Sequence, residues 1–181
     1  MAIGHARSMR IETERLLLRP LAIDDAAALA PLFAGDWEAI SQTGRMPWPP
    51  TEAALRQWIS GYVAPASHSF LMALRRDRAT IGGIGFGGAG RTAELGYALG
   101  RRFWGRGYAT EGVRAMLAHA AAVGYRTLEA FSFVENPASV RVLEKAGFAE
   151  LGVFERDYPE RGGLRKVRRF RLRLSAIRPR R

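Results

Sequence analysis

The stretch Leu95-Gly96-Tyr97-Ala98-Leu99-Gly100-Arg101-Arg102-Phe103-Trp104-Gly105-Arg106-Gly107-Tyr108-Ala109-Thr110-Glu111-Gly112 sets the architecture of this chain. It reads as a strand, a glycine-bearing turn and the start of a long helix. Tyr97 and Leu99 carry strand-favouring side chains, and Gly105 and Gly107 punctuate. Val113, Met116, Leu117, Ala120 and Ala121 then recur at i, i+3, i+4, i+7 and i+8, which is one apolar helical face. A strand that feeds a helix through small residues leaves unpaired N–H groups at the helix start. Those groups and the helix dipole attract phosphate. The turn therefore reads as a holder for pyrophosphate.

Upstream, Arg15–Leu21 reads as a first strand closed by Pro20. Asp24 is a plausible cap for a helix through Leu29, Leu32 and Phe33, which Pro31 should kink or end early. Gly44–Pro50 is a turn-rich connection carrying Trp48. Thr51 caps a second helix with Leu55, Trp58, Ile59 and Tyr62 on one face. Ser69–Arg75 and Thr80–Phe86 flank Arg76-Asp77-Arg78 as a hairpin. The run Gly82–Gly90 is not a dinucleotide fingerprint, because the next element, Ala93–Leu99, is a strand and not a helix. It reads instead as a strand that another backbone or a ligand approaches closely.

Downstream, Gly124 ends the long helix, and Arg126–Phe133 is a strand parallel to 93–99 through a right-handed crossover. Asn136-Pro137 opens another helix, with Val140 and Leu143 inward and Gly147-Phe148 closing it. Ala149–Phe154 and Lys166–Leu174 are the last strands. In the latter, Phe170, Leu172 and Leu174 alternate with Arg169, Arg171 and Arg173. The reading is one α/β (α+β) domain over residues 10–174. It has a mixed sheet of about seven strands, about four helices and flexible termini at 1–9 and 175–181. Ligands of open α/β sheets bind beyond the carboxyl ends of parallel strands, here between 93–99 and 126–133. The site is then bordered by Trp104–Thr110 and Asn136–Ser139.

Composition narrows the chemistry. The 181 residues contain no cysteine, so a disulfide framework, a thiolate metal site and a cysteine nucleophile are excluded. His5, His68 and His119 are scattered, and no metal site is expected. Met1–Met9 has no apolar core of a secretory signal, and no run approaches the ~20 apolar residues of a membrane span. A cytoplasmic protein is the expectation. Net charge is +11, and Arg161–Arg181 holds ten Lys/Arg with no acid. Such a segment is either a solvated face or a surface for nucleic acid, a ribosome or an acidic partner.

Trp104-Gly105-Arg106-Gly107-Tyr108-Ala109 resembles the acetyl-CoA motif of the GNAT superfamily of N-acetyltransferases, Gln/Arg-x-x-Gly-x-Gly/Ala. Asn136-Pro137-Ala138-Ser139 through Glu144-Lys145-Ala146-Gly147-Phe148 resembles its second block. Glu14–Arg19 and Met46-Pro47-Trp48-Pro49 resemble the RimJ/RimL-type branch, which includes ribosomal-protein alanine acetyltransferases. The resemblance covers about Arg10 to Leu174 and implies a sheet splayed between 93–99 and 126–133, with acetyl-CoA as co-substrate in the gap. It implies that backbone groups of Tyr97 and Leu99 bond the pantetheine amides. The N–H groups from Gly105 through Arg106, Gly107, Tyr108, Ala109 and Thr110 would hold the pyrophosphate. Asn136 would meet the pantetheine arm, and Ser139 would sit near the thioester sulfur.

Two departures are visible. Trp104 stands at the Gln/Arg position, so phosphate binding rests on backbone donors. Leu143 stands where many members carry a catalytic tyrosine, so no phenol is expected at the leaving thiolate, and Ser139 is the substitute. With no cysteine carrier, direct attack by a primary amine in a ternary complex is the expected route. Glu94 is the general-base candidate, against a plainer reading as a salt-bridged strand carboxylate. Trp48 is a candidate for the amine pocket. Glu111 reads as a helix first-turn acid. The alternatives are a ribosome- or RNA-associated basic module and a catalytically silent CoA-binding sensor. A homodimer through the C-terminal strands is a further expectation.

Overall fold

A computed structural model of the protein describes residues 9–63 and 68–174. Of the terminal segments read as flexible, 1–9 and 175–181, all but Met9 lie outside the described residues. Eight strands form one sheet: β1 Ile11–Glu12, β2 Leu16–Pro20, β3 His68–Leu74, β4 Thr80–Gly87, β5 Thr92–Leu99, β6 Thr127–Phe133, β7 Ala149–Tyr158 and β8 Gly163–Arg173. Five helices accompany them: α1 Ala26–Phe33, α2 Trp37–Ser41, α3 Glu52–Ser60, α4 Tyr108–Ala122 and α5 Pro137–Lys145. None is long and apolar enough to cross a membrane.

The sheet order is β1-β2-β3-β4-β5-β6-β8-β7. Every neighbouring pair is antiparallel except β5 and β6. Those two run parallel, joined by α4, and they pair only at Thr92 with Thr127, Ala93 with Leu128 and Glu94 with Glu129. Beyond Glu94 they part, although each continues for several residues.

The two faces of the sheet carry separate cores. On one, Ala93, Leu95 and Leu99 of β5 meet Val113, Met116, Leu117 and Ala120 of α4 and Leu143 of α5, all buried. On the other, Leu29, Phe33, Ile40, Leu55 and Ile59 from α1 to α3 pack onto Leu71. The glycines of β4 let strands approach: a Cβ at Gly82 would run into the Ala98 carbonyl oxygen of β5. The helix ends follow local chemistry. Thr51 accepts from the Ala54 N–H, and Asn136 accepts from the Ser139 N–H at 3.0 Å. At the end of α5, Phe148 N–H donates to Leu143 O and Gly147 N–H to Glu144 O, a Schellman closure. α1 contains Pro31 and runs on to Phe33.

Where α4 ends, its His119 meets His68 of β3 with ring nitrogens 3.1 Å apart, among Phe70, Phe86 and Tyr125. Burial pushes both imidazoles below the ordinary histidine range, and the neighbouring His68 pushes His119 further.

The basic strand β8 is largely neutralised by partners. Arg169 and Arg171 both bond Glu129 of β6, at 2.8 and 2.7 Å. Arg168 pairs with Glu150, and Arg165 with Glu135. The alternation read from the sequence holds, with Phe170 and Leu174 buried. Four of the six Lys/Arg of β8 are thus held by three of the protein's own carboxylates.

Candidate active site

The parting of β5 from β6 exposes backbone. Gly100 N–H donates to Ile81 O at 3.0 Å, which sets the alternation of the antiparallel β4–β5 ladder. Gly83–Ala98 and Gly85–Gly96 are then hydrogen-bonded pairs, and Tyr97 and Leu99 turn their N–H and C=O groups away from β4, into the gap. One of these is taken: the Trp104 indole donates to the Leu99 carbonyl at 2.8 Å. Trp104, at the position where a phosphate-binding side chain was sought, braces the strand end instead.

A cavity of about 220 Å³ opens at this gap. Tyr97 and Leu99 line it on the β5 side, and Asn136 and Ser139 on the α5 side. Gly105, Gly107, Tyr108, Ala109 and Thr110 line it at the turn. Gly105 and Gly107 have φ of +70° and +80°, a left-handed geometry that glycine adopts without steric cost. Gly107 caps α4 with no side chain, and the first intrahelical bond of the turn is Glu111 N–H to Gly107 O. The N–H groups of Tyr108, Ala109 and Thr110 therefore have no intrahelical partner, which fits an anion. Arg106 does not line the cavity; its carbonyl accepts from Arg15.

Arg15, at the β1–β2 turn, braces the start of α4. It donates to Arg106 O, to Glu111 Oε2 at 2.7 Å, and lies over the Tyr108 ring. Glu111 also accepts from Thr13 Oγ1 and the Arg15 N–H. Burial pushes its carboxyl up, and these donors outweigh that and leave it below the usual carboxylate range. Glu111 is thus more than a first-turn acid: it ties the N-terminal strands to the phosphate-facing turn.

Ser139 Oγ lies 2.9 Å from the Tyr97 phenol oxygen across the cavity. Burial, opposed by the Ser139 contact, pushes the phenol pKa up to about 12. Leu143 itself offers no phenol. A phenol does reach Ser139, from β5 rather than from α5, and the serine does not merely bond its local backbone. Leu143 is buried core, 1% exposed. Asn136 spends its side-chain oxygen on the Ser139 N–H, which leaves the amide nitrogen for a ligand.

Glu94 is elsewhere. It lies three residues from Tyr97 on a regular strand, hence on the opposite face. It accepts from Arg156 Nη2 at 2.9 Å, beside the Phe131 and Tyr158 rings that Arg156 covers. Trp48 does not line the cavity; it packs edge-on against Trp37, both about half exposed. Trp58 is partly buried core against Tyr62.

Sequence reading missed the wall formed by Ala39 of the short α2 and by Gln42 and Thr43 just after it. That wall is held by Arg161, 7% exposed, whose guanidinium donates to Thr43 O, Ile40 O, Met46 O, Glu160 O and Thr43 Oγ1. Tyr158 packs against Gly44, where any Cβ would strike its ring. Neither contact has a sequence signal, because each joins residues more than a hundred positions apart.

The chain matches the acetyltransferase (GNAT) domain family over residues 15–149. An uncharacterized N-acetyltransferase of Bacillus subtilis, YoaA, is 30% identical over 160 residues, 84% of this chain and 89% of the relative. A GNAT-family acetyltransferase of Bacillus anthracis superposes with a TM-score of 0.77 at 23% identity, covering 92% of this chain and 99% of that one. The ribosomal L7/L12 α-N-protein acetyltransferase RimL, in complex with coenzyme A, superposes with a TM-score of 0.78 at 20% identity, covering 93% and 100%. The turn, the parted strands and these likenesses agree, and the chain belongs to the GNAT acetyltransferase family as an acetyl-CoA-dependent acetyltransferase.

Proposed function

We propose that the protein transfers the acetyl group of acetyl-CoA directly to a primary amine, either the α-amine of a protein N-terminus or a small molecule. The likeness to RimL favours the RimJ/RimL-type branch and a protein N-terminus. The observation that carries the reading is the Tyr97–Ser139 pair set into the cavity where the sheet parts.

When bound, acetyl-CoA supplies a thioester whose carbonyl carbon is the electrophile. The N–H groups of Tyr108, Ala109 and Thr110 hold its pyrophosphate, and the Tyr97 and Leu99 edge takes its amide arm. Ser139 then faces the sulfur. The amine approaches from the Glu94 face, its lone pair forms the C–N bond, and the C–S bond breaks toward Ser139. The leaving sulfur needs little help, since a thiol has a pKa near 8.5. A phenol held near 12 would give it a proton only uphill, by about 5 kcal/mol. Tyr97 therefore stays protonated and donates to Ser139 Oγ, while Ser139 aims its own hydrogen at the sulfur. Tyr97 is a positioning residue and Ser139 the contacting one. An α-amine, with a pKa near 8, is partly neutral at physiological pH, so its surplus proton can pass through water to Glu94, which Arg156 holds outside the cavity.

Acetyl-CoA at about a hundred times its Kd should stabilise the protein by about 2.7 kcal/mol, and a suitable amine should release free thiol. Ser139→Ala should lower kcat by about 10- to 100-fold with KM for acetyl-CoA nearly unchanged. Tyr97→Phe should lower it by about 3- to 20-fold without moving the pH profile. A loss above about a hundredfold with a shifted profile would make Tyr97 a true acid instead.

A further inference from the structure

Gln42 presents an anomaly at the wall of the cavity. Its Oε1 is buried and has no hydrogen-bond partner among the described residues. A buried carbonyl without a donor costs stability, and such atoms are uncommon unless a ligand completes them. Gln42 lines the cavity together with Ala98. On β5, Ala98, Gly96 and Glu94 share one face, the face opposite Tyr97 and the sulfur-facing Ser139. Gln42 therefore stands on the side from which the amine approaches.

Gly96 lies between Ala98 and Glu94 on that face, and a Cβ built there meets nothing within 4 Å. Its partner across β4 is Gly85, so the ladder is bare on both strands at this level. Successive same-face residues are about 6.7 Å apart along a strand. Gly96 is thus one such step from Ala98, which shares the cavity with Gln42, and one from Glu94. The wall cannot drift, because Arg161 grips the carbonyls of Ile40, Thr43 and Met46 on both sides of Gln42.

Resting on the acetyl-transfer reading above, we propose that this is the acceptor subsite. Gly96 is its floor, and Gln42 Oε1 accepts a hydrogen bond from an N–H of the acceptor. The group recognised is an N–H donor, either the reacting primary amine itself or an amide N–H next to it. Arg161 is the positioning residue that holds Gln42 in place.

The test uses the full chain with three acceptors: a tri-alanine amide peptide, alaninamide and n-butylamine. Wild-type thiol release and the thermal shift with acetyl-CoA are measured first. If neither appears, the acetyl-transfer reading falls, and the subsite with it. With wild-type activity in hand, Gln42→Leu should raise acceptor KM by about 5- to 15-fold, leave KM for acetyl-CoA unchanged, and leave Tm unchanged or higher because a buried orphan is removed. Gly96→Val should raise acceptor KM by at least about tenfold with Tm retained, since its side chain enters open space and suits a strand. An effect of Gln42→Leu on all three acceptors assigns the bond to the reacting amine; an effect on the peptide and alaninamide alone assigns it to the neighbouring amide. Unchanged acceptor KM in both variants, or a rise confined to acetyl-CoA, overturns the proposal.

Discussion

At the scale of single residues, the sequence named the right atoms for some contacts and none for others. Ser139 was singled out through the resemblance of the Asn136–Phe148 block, and the structure places it on the cavity. Its partner Tyr97 was legible only as strand backbone, because the phenol's role depends on a neighbour 42 residues away. Arg161 was illegible: one arginine in a basic tail looks like the others until the fold buries it against five oxygen acceptors. The His68–His119 pair makes a residue-scale prediction about pH. Both imidazoles have folded pKa values below the ordinary one, so the unfolded chain binds more protons. Stability should be full above about pH 6.5 and fall as pH drops below it. The carboxylates of Glu111 and Glu129, held below the ordinary carboxylate range by their arginine and hydroxyl partners, leave that window to the histidines. Denaturation midpoints at about pH 7.5 and pH 5.5 should differ in the wild type and differ less in His119→Phe.

At the scale of elements, the long and strongly periodic ones were readable. α4 carries its apolar face over four turns, and β8 alternates cleanly. The two additional elements, β1 with two residues and α2 with five, are too short to show a period. The loss matters, since the segment after α2 supplies Gln42 and Thr43 to the cavity. The glycine-rich β4 was read correctly as a site of close approach, for the physical reason seen at Gly82. Elements are also where the brace at the start of α4 acts. Glu111→Ala leaves Thr13 Oγ1 and the Arg15 N–H without their acceptor. It should cost about 1–3 kcal/mol and lower Tm by roughly 2–12 °C. Because the same brace holds the 104–110 turn, the affinity for acetyl-CoA should weaken in parallel, which calorimetry can measure.

At the scale of the whole molecule, the β3–β4 hairpin and the parallel pairing of β5 with β6 were readable from turn signals and the intervening helix, whereas the place of β8 between β6 and β7 was not. Nor was the meaning of the net charge. A count of arginines cannot tell which will be bound to Glu129, Glu135 or Glu150 once the sheet forms. The seam between β5 and β6 makes the molecule resemble a book of two leaves on a short spine. β1 to β5 form one leaf and β6, β8 and β7 the other, with three register pairs between them. Local breathing should therefore concentrate along that spine, and whatever lies between the leaves acts as mortar. Amide hydrogen exchange reads this directly: coenzyme A should slow exchange at Tyr97 and Leu99 while leaving Leu71 and Met72, deep inside β3, unaffected. Unchanged rates at Tyr97 and Leu99 would mean that the leaves are not bridged there. The gap that makes room for chemistry is also the line along which the empty enzyme comes apart, so its cargo is part of its masonry.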